Sequence, residues 1–187
     1  IAKTLPELSE ELDADFAAGA IGVKVWKNIG MEFRDRSGRL VMIDDPKFDA
    51  IFAHVRERGL VLVGHQGEPH NCWLALADMT VNNDREYFRD HPQYHMYLHP
   101  ELPSYQQQMT ARDRMLERNP ELHFMGAHMA SLEWSVDELA HFLDAHPNAV
   151  AVGGGDGVSV SVGVSVGEEV AVAVAVKVGR GVAVGAM

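Results

Sequence analysis

Four apolar runs, IGVKVW (21–26), LVLVG (60–64), HFMGA (123–127) and the stretch 148–152, each follow a segment with helical periodicity. This alternation constrains the fold more than any other feature of the chain. The run LVLVG is continuous rather than alternating, the pattern of a parallel strand covered on both faces. The first helix is expected over 4–18. Thr4 caps it, Leu8, Leu12 and Phe16 share one face, and Gly19 lies just past its end. Asp45-Pro46 opens the second, where Phe48, Ile51, Phe52 and Val55 form an i, i+3, i+4, i+7 stripe that Gly59 ends. The third spans 104–119. The fourth starts at a capping box, Ser135 to Glu138, and runs to Ala145.

Strands that alternate with helices join by right-handed crossovers into a parallel sheet. The expected class is therefore α/β, with parallel strands alternating with helices. About half the elements of an eight-fold barrel are present, so the sheet is either small and open or a partial (β/α)8 TIM barrel. The segment from 65 to 103 is long and punctuated by His-Pro pairs; connections of this length tend to be lids or binding loops.

Composition changes near Ala149. Residues 1–149 form a natural mixture, read as one domain. Residues 150–187 hold 14 Val, 9 Gly and 6 Ala in 38 positions, with Val at nearly every even number. Such a period of two reads as strand. The Gly, Ala and Ser of the other face give little to fix a register, however. The tail is expected to be a low-complexity strand segment, a stand-in for unassigned side chains, or a shifted reading frame. An artefact of the last two kinds is favoured, and no chemistry is placed there.

The net charge of −11 argues against nucleic acid and anionic membranes as partners, since both demand clustered Lys and Arg. The single cysteine, Cys72, excludes a disulfide framework and fits a reducing, cytoplasmic setting. No run of about 18 apolar residues suggests a membrane span.

Chemistry is expected where parallel strands end. His65 directly follows LVLVG, and His128 directly follows HFMGA. Two imidazoles on neighbouring strands would point into one mouth, as metal ligands or as an acid–base pair; a pair of merely hydrogen-bonded histidines is the alternative. Lys24 lies inside an apolar strand, where a charge needs a partner or a polar cavity. It is a candidate for a substrate carboxylate, with Lys27 competing. Glu68 and His70 follow His65 in GHQGEPHNCW and could orient a ligand. His99 lies in the long connection. Trp73, Trp134 and Glu133 could wall a pocket or serve the core. Cys72 shows no activating pattern. There is no Gly-rich phosphate loop, Cys-x-x-Cys pair or His-Glu-x-x-His helix.

Taken together, GVKVWKNIGM, VGHQGEP, HPELPSYQQQMTARDRMLERNP and GAHMASLEWSVDELA resemble the amidohydrolase-2 group of the amidohydrolase superfamily, which includes aminocarboxymuconate-semialdehyde decarboxylase. The resemblance covers about residues 1–152. It implies a (β/α)8 barrel with one divalent metal ion, often zinc, in which IGVKVW, LVLVG and HFMGA are strands 4, 5 and 6. It gives His65 the strand-5 metal-ligand role and His128 the strand-6 acid–base role, and it matches Lys24 to a strand-4 position facing the site. The strand-1 His-x-His pair and the strand-8 Asp have no counterpart; by length, Met187 stands where that Asp is expected. With Ile1 as the first residue, the chain is expected to be a piece of a longer enzyme lacking strands 1–3.

The expected activity is hydrolysis of an amide, ester or lactone carbonyl through metal-activated water. The substrate is a small molecule, a carboxylic acid or its derivative, contacted by Lys24, Glu68, His99 and Trp134. Non-oxidative decarboxylation of an unsaturated or aromatic acid is one alternative. An inactive fragment or non-catalytic α/β scaffold is another. Relatives that dimerise make a homodimer a possible assembly, and the sequence leaves the oligomeric state open.

Overall fold

The computed structural model describes residues 5–153 and the backbone pair Val174–Ala175. Four strands form a parallel sheet: β1 (Gly22–Val25), β2 (Val61–Gly64), β3 (His123–Gly126) and β4 (Ala149–Ala151). A fifth, β5 (Val174–Ala175), pairs antiparallel with β1, so the spatial order is β4-β3-β2-β1-β5. Four helices precede the parallel strands in turn: α1 (Leu5–Ala17), α2 (Asp49–Glu57), α4 (Tyr105–Arg118) and α5 (Val136–Ala145). A further helix, α3 (Asn82–Asp90), lies between β2 and α4. The class is α/β, and the sheet is an unclosed partial barrel among the described residues. The expected tail strand coincides with the described residues only at β4 and β5; its other positions beyond Gly153 lie outside them, as does the Thr4 cap.

The helical stripes do what their spacing predicts. Leu8 and Leu12 of α1, and Phe48, Ile51, Phe52 and Val55 at α2, are all buried against Val23, Val25, Leu62 and Phe124 of the sheet. Met109, Met115 and Leu116 of α4 and Phe142 of α5 complete this core. Asp45 accepts from the Lys47 amide at 3.1 Å and Pro46 begins a 3-10 turn, Pro46–Phe48, that leads into α2. Gly59 takes φ +64° beyond its end. At α5 only half of the expected box forms: Ser135 Oγ accepts from Glu138 N at 3.2 Å, while Ser135 N donates to Leu132 O. The full reciprocal box is instead at α4, where Ser104 and Gln107 satisfy each other's backbone amides.

The long connection 65–103 is folded. Besides α3 it holds four 3-10 turns, and Met31, Cys72, Met79, Phe88 and Met96 form a second, smaller core beneath it. No helix among the described residues is long and apolar enough to cross a membrane.

The two faces of the sheet differ. Val23, Val25, Leu62 and Phe124 face the helices. Alternation puts Lys24, Val63, Met125 and Val150, which are register partners across the four strands, on the other face. Trp26 and His65 continue that second face past the C-terminal strand ends.

Candidate active site

At the C-terminal edge of the sheet, His65 follows β2 and its amide donates to Val25 O at 3.1 Å, extending the ladder by one bond. Its ring meets the Trp26 ring edge-on, with centroids 4.9 Å apart. The ring of His128, from the end of β3, lies 4.5 Å from that of His65. Lys24 Nζ sits 4.7 Å from the Trp26 centroid and Lys27 Nζ 5.9 Å. Burial, then the fields of His128, Lys27 and Lys24, push the His65 imidazole down to about 3. The ring is therefore neutral at pH 7, with the lone pair that metal ligation or proton acceptance requires. Burial also lowers the Lys24 ammonium from its usual range, and no carboxylate among the described residues pairs with it.

His128 reaches this position through an unusual backbone. His128, Met129, Ala130 and Ser131 have φ of 52°, 56°, 58° and 59°, a left-handed turn built without glycine. Each such residue costs about 1–2 kcal/mol, so the four together cost on the order of 4–8 kcal/mol. Strain of this kind persists only where the surroundings over-determine it. Met129 N donates to Val152 O at 2.7 Å, Ser131 N to His128 O at 2.9 Å, and Leu132 N to Met129 O at 3.0 Å. The turn folds back onto β3 so tightly that a Cβ on Gly126 would stand 2.5 Å from the Ala130 Cβ. Only glycine fits there.

Trp26, which meets His65, also lines a cavity of about 400 Å³, of a size suited to a small molecule; neither the His65 nor the His128 imidazole is part of its wall. Trp26, Lys27, Glu68, Tyr94, Met96 and His99 are among its walls. Glu68 forms an ion pair with Lys27. His99 rests against Glu101 at 3.4 Å and Pro92 O at 3.3 Å.

The candidate residues thus fall into three groups. Lys24 and His65 meet Trp26, and His128 joins them through the His65 ring. Glu68 and His99 share the cavity, which Trp26 joins to the first group. Trp134 belongs elsewhere: its indole donates to Tyr105 Oη at 2.7 Å and stacks on His70 at 4.6 Å, while Glu133 accepts from the His70 amide at 2.8 Å. Trp73 also joins this aromatic group, edge-on to Tyr105. Sequence reasoning passed over Trp26, which touches both histidine and lysine, and treated Lys27 only as a competitor to Lys24. A tryptophan at a parallel strand's C-terminal end, two residues beyond a strand lysine, was the available signal.

A catalytic zinc site takes three protein ligands and leaves a position open. His65, neutral and beside a second imidazole, has the donor chemistry for one of them. No group of three His, Cys, Asp or Glu suited to a metal ion occurs among the described residues. The fit therefore extends to part of a coordination sphere.

No protein-family model matches the chain. No curated protein matches it either. Solved structures similar to it include an uncharacterized TIM-barrel protein from Bordetella bronchiseptica, at 17% identity and a TM-score of 0.43, over 80% of this chain and 40% of that one. Another is 2,6-dihydroxybenzoate decarboxylase complexed with 2,6-dihydroxybenzoate, at 17% identity and a TM-score of 0.41, over 67% of this chain and 36% of that one. The chain spans well under half the length of either.

Proposed function

We propose that this chain forms the central part of a metal-dependent hydrolase of the amidohydrolase type, acting on an amide, ester or lactone whose molecule also carries a carboxylate. The observation that supports the reading is the 4.5 Å approach of the His65 and His128 rings at adjacent strand ends, with two lysines about Trp26, which meets His65 edge-on. His65 is the chain's metal ligand, and zinc is the metal we propose. When bound, the ion supplies a positive charge that polarises a carbonyl and acidifies a water molecule.

The chain's own residues do the rest. His128 takes the proton from the attacking water and returns it to the leaving group, the work for which imidazole is most often used. Lys24 orients the substrate carboxylate. Lys27, held by Glu68, presents a second ammonium at the cavity wall. His99 bounds the far part of the substrate. Trp26 packs edge-on against the His65 ring and helps to fix its orientation. In this arrangement Trp134 acts on the substrate only through the aromatic group that it joins.

The same lysines favour a second reading, non-oxidative decarboxylation of an unsaturated or aromatic acid. There the bond to the carboxylate carbon breaks, carbon dioxide leaves, and the electron pair remaining on the substrate carbon takes a proton from His128. The test assays the full-length enzyme, supplied with zinc, over a panel of lactones, amides, esters and unsaturated acids. It follows formation of the hydrolysed acid with its amine or alcohol, and carbon dioxide release, separately. Hydrolysis abolished by His128→Asn supports the hydrolase; carbon dioxide release supports the second reading; neither, over the whole panel, contradicts both.

A further inference from the structure

We propose that Arg112 and Tyr105 are positioning residues for His128: they hold the left-handed turn in the conformation that lays its imidazole against His65. The inference rests on the reading of His128 as the acid–base group. Arg112 and Tyr105 stand seven residues apart on α4, two turns along one face. They engage successive carbonyls of the turn. Arg112 Nη1 donates to Ala130 O at 2.6 Å, and Tyr105 Oη donates to Ser131 O.

Arg112 is an expensive choice for this position. It is 2% exposed, its guanidinium lies 4.1 Å from the Phe142 centroid, and Asp113 balances its charge at 2.8 Å. Met109, Met115 and Leu116 around it are ordinary core residues. An apolar side chain would avoid the desolvation of a buried cation. It would also leave Ala130 O, within a turn already strained at four residues, without this donor. Tyr105 is fixed in its turn: its hydroxyl accepts from Trp134 Nε1 at 2.7 Å, which directs the hydroxyl proton to Ser131 O. Finally, Ser131 Oγ donates to Gln66 O at 2.9 Å, one residue beyond His65. The turn that carries one imidazole is thereby fastened to the segment that carries the other. Helix α4, which contributes nothing to the cluster itself, becomes the template for its geometry.

The test uses the full chain and reads the nuclear Overhauser contact between the His65 and His128 rings by NMR. Amide exchange in β2 and β3 reports whether the fold persists. Arg112→Met, which keeps the volume of the side chain, is expected to lose the inter-ring contact while the strands stay protected. Arg112→Lys, which restores a donor to Ala130 O, is expected to recover it. Tyr105→Phe is expected to weaken the contact and speed exchange of the Ser131 and Leu132 amides. Should Arg112→Met lose strand protection, Tyr105→Phe decides alone. A wild-type inter-ring contact in folded Tyr105→Phe, or in folded Arg112→Met, overturns the proposal. Titration of the unsubstituted chain with zinc separates this from the functional reading: a His65 resonance unmoved by zinc contradicts the metal-ligand role and leaves the clamp standing.

Discussion

The rings of His65 and His128 lie 4.5 Å apart although 63 residues separate them in the chain. Two different devices bring them together. His65 arrives by continuing a regular parallel ladder, whereas His128 arrives by a left-handed turn that breaks away from one.

The first device has a consequence in acid. The folded chain holds His65 near 3, below its ordinary 6.5. Between those values the unfolded chain binds a proton that the folded chain refuses, so stability is complete above about pH 6.5 and falls as the pH drops toward 3. The loss is on the order of a few kcal/mol. His65→Gln, which cannot titrate, is expected to flatten urea-denaturation stability between pH 6.5 and 4.5. An unchanged slope would count against the burial of a neutral ring.

The second device depends on Gly126. Gly126→Ala places a methyl group against Ala130. It is expected to cost about 2 kcal/mol or more, as overpacking of a closed site does. It should also displace His128, so that activity falls further than stability explains. Thermal denaturation together with an inter-ring NMR contact checks both parts.

The cavity wall offers a milder perturbation. Glu68→Gln removes the partner of Lys27. The pair is partly exposed, and its loss is expected to lower stability by about 1 kcal/mol or less. The freed ammonium should bind anionic ligands more tightly, seen as a lower KM for carboxylate-bearing substrates and no matching gain for neutral ones. An equal change for both would place Lys27 outside substrate recognition.

Cys72 serves as a reporter rather than a participant. It is fully buried, and burial pushes its thiol up to about 12. The thiolate is the form that attacks alkylating reagents, so native protein is expected to resist labelling at pH 8 and to react only as it unfolds. Rapid native labelling would contradict the second core, in which Cys72 donates to Tyr94 O at 3.0 Å.

Much of the sheet was legible because its signals are local. The stripe at Phe48, Ile51, Phe52 and Val55 specifies a buried helix face within eight residues, and LVLVG declares a buried strand within five. The positions of His65 and His128 follow directly from the strand ends. The left-handed turn was not legible, because His-Met-Ala-Ser holds no glycine or asparagine to mark positive φ; its cause lies in the tertiary donors Arg112 and Tyr105. Helix α3 was missed because Phe88 is its one buried residue, too sparse for a period to show. The Lys27–Glu68 pair spans 41 residues and leaves no local trace. Arg112 did leave one, as a charge set among Met109, Met115 and Leu116 on a helix, the kind of local inconsistency that marks special sites.

On the proposed function, His65 and His128 form one metal-handling, proton-moving pair. Anomalous diffraction from crystals of the full-length protein grown with zinc would locate the ion. The expected result is a zinc peak about 2.1 Å from an imidazole nitrogen of His65, with the His128 ring beside it and outside bonding distance. Zinc seated elsewhere, with both rings free of it, would overturn the pairing.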